Sequence, residues 1–124
     1  MSIEYESRVH AGHVVLECTG TYTFESSLQI FSQAIEIAMH EGRGAVLVDV
    51  RQLTGAPPTL FDRYRQVGHI AKLQSGPGPR IRVAVFGHVP MIHPQRFGDV
   101  IALSRGALAR AFTELDEAMA WING

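Results

Sequence analysis

Apolar and polar positions alternate over residues 3–9 (IEYESRV), and residues 13–19 (HVVLECT) are rich in β-formers, so two strands are expected. The connection from His10 to His13 has hairpin length and contains a glycine for positive φ. After Thr23 the period changes. Phe24, Leu28, Phe31, Ile35, Ala38 and Met39 recur at the spacing of one helix face, with Thr23 as the cap and Gly42 and Gly44 as the stop. Residues 44–50 (GAVLVDV) are an unbroken apolar run apart from Asp49, the pattern of a strand covered on both faces or central in a sheet. Thr59 then caps a second helix, with Asp62 as its capping-box partner and Leu60, Tyr64, Val67 and Ala71 as its stripe. A surface turn at 75–79 (SGPGP) precedes another buried strand at 80–87 (RIRVAVFG). Residues His88 to Pro94 read as a loop, with Pro94 placed to start a third helix through Phe97, Val100, Ile101 and Ser104. Gly106 ends that helix. A short strand at 107–112 (ALARAF) and a capping box of Thr113 with Asp116 lead to a final helix, whose Leu115, Met119 and Ile122 face the core.

The order β-β-α-β-α-β-α-β-α contains no internal repeat and no linker. Strands separated by crossover helices predict an α/β fold. The sheet is expected to be mixed and mostly parallel, of about five strands, with an N-terminal antiparallel hairpin and about four helices. The 124 residues fit a single domain over 1–124, and at that size roughly two thirds of the unfolded chain's surface is buried.

Composition narrows the function classes. The apolar share of 46% against 19% charged residues describes an ordinary globular chain. A net charge of −1 leaves no basic face for phosphates, so a nucleic-acid partner is not expected. Lys72 is the single lysine among eleven basic residues, and base composition explains that bias as readily as function does. The N-terminus lacks the apolar core of a signal peptide, and no apolar run approaches the ~20 residues that span a bilayer. The single cysteine, Cys18, lies in a strand pattern and reads as a buried small side chain, with no disulfide within the chain. The expected location is cytoplasmic.

The order of elements resembles the STAS domain, and nearly the whole chain is similar to its SpoIIAA-like, or STAS/SEC14-like, branch. The matching stretches are GTYTFE (20–25), VLVDVRQLTG (46–55), RVAVFG (82–87) and RAFTELDEAMAWI (110–122). The resemblance implies a non-catalytic module that binds protein partners or small ligands. Anti-anti-sigma factors of this type carry a phosphorylatable serine in an Asp-Ser-Ser-Gly-like stretch where this chain has Ala56, Pro57, Pro58 and Thr59. Thr59 is therefore the candidate for a phospho-switch.

Within the stretch from Val46 to Thr59, Asp49 and Arg51 are expected at the carboxyl end of a central strand, where open α/β sheets bind ligands. Alternation puts both side chains on one side of the strand, close enough to pair with each other or with a ligand. Asp49 can equally cap the loop by accepting backbone N–H bonds. Thr54 and Thr59 complete the candidate site, and His88 and His93 frame a loop expected beside residues 51–59 as part of one polar rim. An N-cap threonine contributes about 1 kcal/mol, and a phosphate on Thr59 would meet the positive end of the helix dipole. No histidine pair has the helical spacing of a zinc enzyme, and no nucleophile motif or phosphate loop occurs, so no metal, cofactor or catalysis is expected. Ile30 and Ile37 fall beside the main stripe of the first helix. That widened apolar face is either deeply packed or exposed as a homodimer or partner interface. Phe61, Tyr64, Ile92, Phe97 and Ile101 are candidates to line a ligand pocket between the second and third helices, against plain core. An empty pocket of ~300 Å³ would cost about 7 kcal/mol at ~24 cal/mol per Å³.

The leading expectation is an interaction module whose partner is an unknown protein. The alternative is a carrier or sensor for a small apolar or anionic ligand, and the third reading is an enzyme.

Overall fold

Four parallel strands laid side by side in chain order decide how the layers stack. The computed structural model describes residues 3–124, with Phe97 and Gly98 described as backbone only. The elements are β1 (Ile3–Val9), β2 (Val14–Thr21), α1 (Phe24–His40), β3 (Ala45–Thr54) and α2 (Leu60–Gln74). After them come β4 (Arg82–Phe86), α3 (Phe97–Arg105), β5 (Ala109–Phe112) and α4 (Leu115–Asn123). The sheet order is β1-β2-β3-β4-β5, with β1 antiparallel to β2 and the others parallel. This is the expected SpoIIAA-like α/β arrangement. Successive crossovers of one hand in one direction put α1, α2 and α3 on the same face. Only α4, after the last strand, packs across the other face, against β3, β4 and β5.

Two cores follow from that layering. Val14, Leu16, Cys18, Val46, Val48, Val50 and Val83 point to the three-helix face and meet Ile30, Phe31, Ala34, Ile35 and Ile70. Ala45, Leu47, Ala84, Phe86 and Phe112 point the other way, onto Ala118 and Ile122 of α4. The apolar run in β3 is thus explained by burial on both faces.

Four expectations are corrected. First, β3 does not stop near Asp49 but continues to Thr54, because a bulge opposite Cys18 lets Gln52, Leu53 and Thr54 pair with Thr19, Gly20 and Thr21. Second, α3 does not begin at Pro94. The Nδ1 atom of His93 accepts from the Gln95 backbone N–H at 3.0 Å, closing a turn. Arg96 then sits at φ 53, so the helix starts at Phe97. Third, Thr113 and Asp116 form no capping box. Glu114 is the N-cap of α4 and makes no side-chain cap, so the Thr113 hydroxyl is one residue out of register. Fourth, the broad apolar face of α1 turns inward. Ile30 is 6% exposed and Ile37 is partly buried against the same core, so of the two alternatives this face is the packed one. The cause is that α1 lies over β1, β2 and β3 and also meets α2.

Candidate functional site

The inward face of α2 is not the one its apolar residues predict. Leu60, Phe61 and Tyr64 are exposed, whereas Val67, Ile70 and Gln74 are buried. The helix is pinned at both ends by hydrogen bonds. At its carboxyl end Gln74 donates to the Ile81 carbonyl at 2.7 Å and to the Leu108 carbonyl at 3.0 Å, and accepts from the Leu108 N–H at 2.9 Å. At its amino end Arg63 donates to the carbonyls of Met91 at 3.2 Å and Pro90 at 3.3 Å. Tyr22 donates to Asp62 at 3.1 Å, while Gln66 donates to the Tyr22 hydroxyl at 3.0 Å and the Ser27 hydroxyl at 2.9 Å.

Between these two sets of bonds lies an apolar cavity of about 110 Å³ over the sheet, with Cys18, Ile30, Val48, Val67 and Ile70 in its wall and Arg63 and Gln66 at its polar side. Arg63 Nε is the one buried side-chain polar atom without a hydrogen-bond partner among the described residues. Such an unmet donor costs about 1–3 kcal/mol. No carboxylate of the described residues comes within ion-pair distance of this guanidinium, and burial lowers its pKa. Burial also pushes the Cys18 thiol up to about 12, with the charge of Asp49 adding to it, so the sulfur stays protonated and unreactive. Tyr22 is likewise pushed up to about 12, first by burial and then by Asp62.

The residues expected to act together are divided between the two faces. Asp49 is buried on the α4 face, in register with Phe86. Arg51 grips it, with Nη2 to Oδ2 at 2.8 Å and Nε to Oδ1 at 3.1 Å, and stacks 4.7 Å from the Phe86 ring centre. The Arg51 backbone N–H also donates to Asp49 Oδ1 at 3.1 Å. Asp49 therefore pairs with Arg51 within β3, and the backbone N–H it accepts from belongs to the strand rather than to the loop after it. Thr54 donates to the Gly20 carbonyl at 3.2 Å and lies 3.4 Å from the Thr21 hydroxyl, fastening the ends of β2 and β3. The cavity under α2 does reach the end of β3, where Val50, Leu53 and Pro58 line it, but Asp49 and Arg51 stand on the other face of the sheet and do not line it.

Thr59 stands on the other side of the sheet, at the exposed start of α2. Its hydroxyl accepts from the Asp62 N–H at 3.0 Å, and its own N–H donates to Asp62 Oδ2 at 3.2 Å, completing the capping box. The loop 88–93 does meet α2, but through the carbonyls of Pro90 and Met91 rather than an imidazole rim; His88 is exposed, and His93 holds its own turn. Of the pocket residues expected from sequence, Ile92 lines the cavity, Phe61 and Tyr64 point outward and Ile101 does not line it. The side chain of Phe97 lies outside the described residues. Arg63, Gln66 and Tyr22 escaped the sequence reading. The available signal was a polar Arg63 on the same helical face as Val67 and Ile70.

One pair has the look of a catalytic dyad. Ser32 Oγ and His69 Nε2 are 2.8 Å apart, linking α1 to α2. Among the described residues no carboxylate bonds to His69, and Ser32 sits mid-helix, where backbone N–H groups are engaged in the helix and cannot stabilise an oxyanion. The pair is a helix-to-helix fastening. Among the described residues no three His, Cys, Asp or Glu side chains assemble a metal site, and no helix is long and apolar enough to cross a membrane.

Outside the cavity, α2 and α3 leave apolar groups uncovered. Leu60 is 56% exposed, Phe61 66% and Leu103 84%, with Val100 also open to solvent. Arg65 stacks over Phe24 and Phe61, and Arg105 over Tyr64, so guanidinium planes partly cover the rings.

Neither a protein-family model nor a curated protein matches the sequence. Among solved structures the chain is similar to an anti-sigma factor antagonist from Mycobacterium paratuberculosis. The TM-score is 0.60 at 17% identity, over 99% of this chain and 96% of that one. It is also similar to an uncharacterized protein of the DUF3478 family with a SpoIIAA-like fold from Shewanella loihica. There the TM-score is 0.51 at 18% identity, over 98% of this chain and 93% of that one. The fold is therefore SpoIIAA-like.

Proposed function

We propose that this chain is a non-catalytic protein-interaction module of the STAS type, working in the cytoplasm and docking its partner on the outer face of α2 and α3. The observation that carries this reading is the set of large apolar side chains on two adjacent helices, Leu60, Phe61, Val100 and Leu103, left uncovered by the fold. Thr59, at the exposed start of α2, lies where a modification could alter that face. A phosphate there would displace the capping contact and stand beside the Asp62 carboxylate, so it would disturb the first turn of α2. The likeness to an anti-sigma factor antagonist supports a protein partner. The neutralised Arg51, the protonated Cys18 and the unassisted Ser32–His69 pair argue against catalysis.

The test is photocrosslinking in the native host, with the crosslinking side chain placed at Phe61 or Leu103, and at Glu4 on the opposite face of the sheet as control. Adducts to one protein from Phe61 and Leu103 but not from Glu4 support the reading. Equal labelling from all three positions would sink it.

A second reading, that the protein holds a small ligand, is favoured by the cavity under α2 with its unpartnered Arg63 donor.

A further inference from the structure

The ligand-holding reading can be carried to a chemical class, and the inference below rests on it. Size comes first. An apolar cavity of about 150 Å³ admits benzene, so 110 Å³ suits a short alkyl chain or part of a single ring rather than a long acyl chain. Lining comes second. Ile30, Phe31, Val48, Val67 and Ile70 supply most of an apolar wall, and the Cys18 thiol adds no charge. At the β5 end Asp99 and Arg110 also meet the cavity, Asp99 accepting from the Ala111 N–H and facing the charges of Arg110 and Arg96. Charge comes third. The Arg63 guanidinium joins the wall with two of its nitrogens committed to the carbonyls of Pro90 and Met91. Those carbonyls satisfy hydrogens but bring no negative charge. The remaining Nε–H is buried and unpartnered, with no carboxylate of the described residues at ion-pair distance.

We infer that the cavity beneath α2 binds a small monocarboxylate with a short alkyl tail, the tail against Ile30, Val67 and Ile70 and the carboxylate accepting from Arg63 Nε–H. An apolar tail fills space that otherwise forfeits contacts. A carboxylate supplies the acceptor that Arg63 Nε lacks and adds a negative charge at hydrogen-bond distance to the more distant one of Asp62, and a charge-assisted bond outranks a neutral one. A neutral alcohol of the same tail offers the acceptor alone. The loop carbonyls hold the guanidinium in place beforehand, so little ordering is needed on binding.

The test is an NMR titration of the full chain with hexanoate and with hexan-1-ol, following the arginine Nε–H signals and the isoleucine and valine methyls. Hexanoate is expected to shift the Arg63 Nε–H signal together with the methyls of Ile30, Val67 and Ile70. Its affinity should exceed that of hexan-1-ol by at least about tenfold, the discrimination expected from a charged partner. Arg63→Gln should erase that preference. Should Arg63→Gln not fold, Val67→Phe, which fills the cavity from α2, serves instead and should abolish binding of both compounds. Equal affinity for acid and alcohol at the cavity methyls would overturn the carboxylate assignment while leaving the ligand-holding reading intact. Absence of shifts with either compound, or shifts confined to the exposed Val100 methyls on the outer face, would overturn both.

Discussion

His13 carries a pH dependence that its position in the hairpin makes calculable in sign. It is 8% exposed and stacks on His10 with ring centres 4.8 Å apart, while the His10 carbonyl accepts from Arg43. Burial, and then the neighbouring His10, lower its pKa from the ordinary 6.5. The folded chain thus binds that proton less readily than the unfolded chain. The resulting stability is full above the ordinary value and is lost as pH falls through 6.5 and below. Thermal melts from about pH 8 down to about pH 5 should show a falling Tm, and His13→Gln should flatten that fall; an unchanged slope would remove His13 as the cause. Tyr22 titrates with the opposite sign. Its folded phenol ionises later than the unfolded one, so stability declines as pH rises through the ordinary 10.0 towards about 12. Replacing Tyr22 by Phe removes that alkaline step and leaves Asp62 and Gln66 each short of a partner, at a cost of about 1–3 kcal/mol by denaturant unfolding. Thr59→Ala should cost about 1 kcal/mol through the lost cap.

Elements were more legible than the contacts that aim them. Period and punctuation give nine elements in the right order, since burial on both faces shapes the β3 and β4 patterns and Thr23 and Thr59 do cap α1 and α2. What failed depended on partners distant in sequence. The extension of β3 to Thr54 exists because β2 continues beside it, and no local pattern in RQLT announces that pairing. The face of α2 was misjudged because Leu60 and Tyr64 outweigh a half-buried Arg63 and a buried Gln74, whose hydrogen bonds reach residues 90, 91, 81 and 108. The paired Asp49 and Arg51 were legible because their geometry is local to one strand, whereas the cavity is lined from all five strands and from α1, α2 and α3. One close approach between elements offers a sharp check. A Cβ on Gly87 would stand 2.7 Å from Val50 Cγ2 and 3.4 Å from Ile92 Cγ1, so β4 leaves the sheet against its neighbours with no room to spare. Gly87→Ala should cost about 1–3 kcal/mol by overpacking. Adding Val50→Ala should return part of that loss, and a strictly additive double mutant would count against the contact.

An open five-stranded sheet has two free edges, and the molecule treats them differently. On β1 the exposed side chains Glu4, Glu6 and Arg8 place charge along the rim, which discourages pairing with another sheet. On β5 the protection comes from α3. The carbonyls of Leu108 and Phe112 accept from Val83 and Gly87 of the β4 side, so the intervening Ala111 N–H points away from the sheet. Asp99 of α3 takes that N–H at 2.7 Å. Burial raises the Asp99 pKa, so this carboxylate is held at some cost, and the bond to Ala111 opposes the shift. Asp99 therefore does two things at once: it docks α3 on the sheet and occupies the donor a foreign strand would need. Asp99→Ala should free the edge and loosen α3, and Asp99→Asn, which keeps an acceptor oxygen, should do neither. In sedimentation velocity at rising protein concentration, the alanine variant should self-associate more than the wild-type chain, with the asparagine variant resembling the wild type. Equal behaviour of the two variants would mean that the shortness of β5, rather than Asp99, keeps that edge closed.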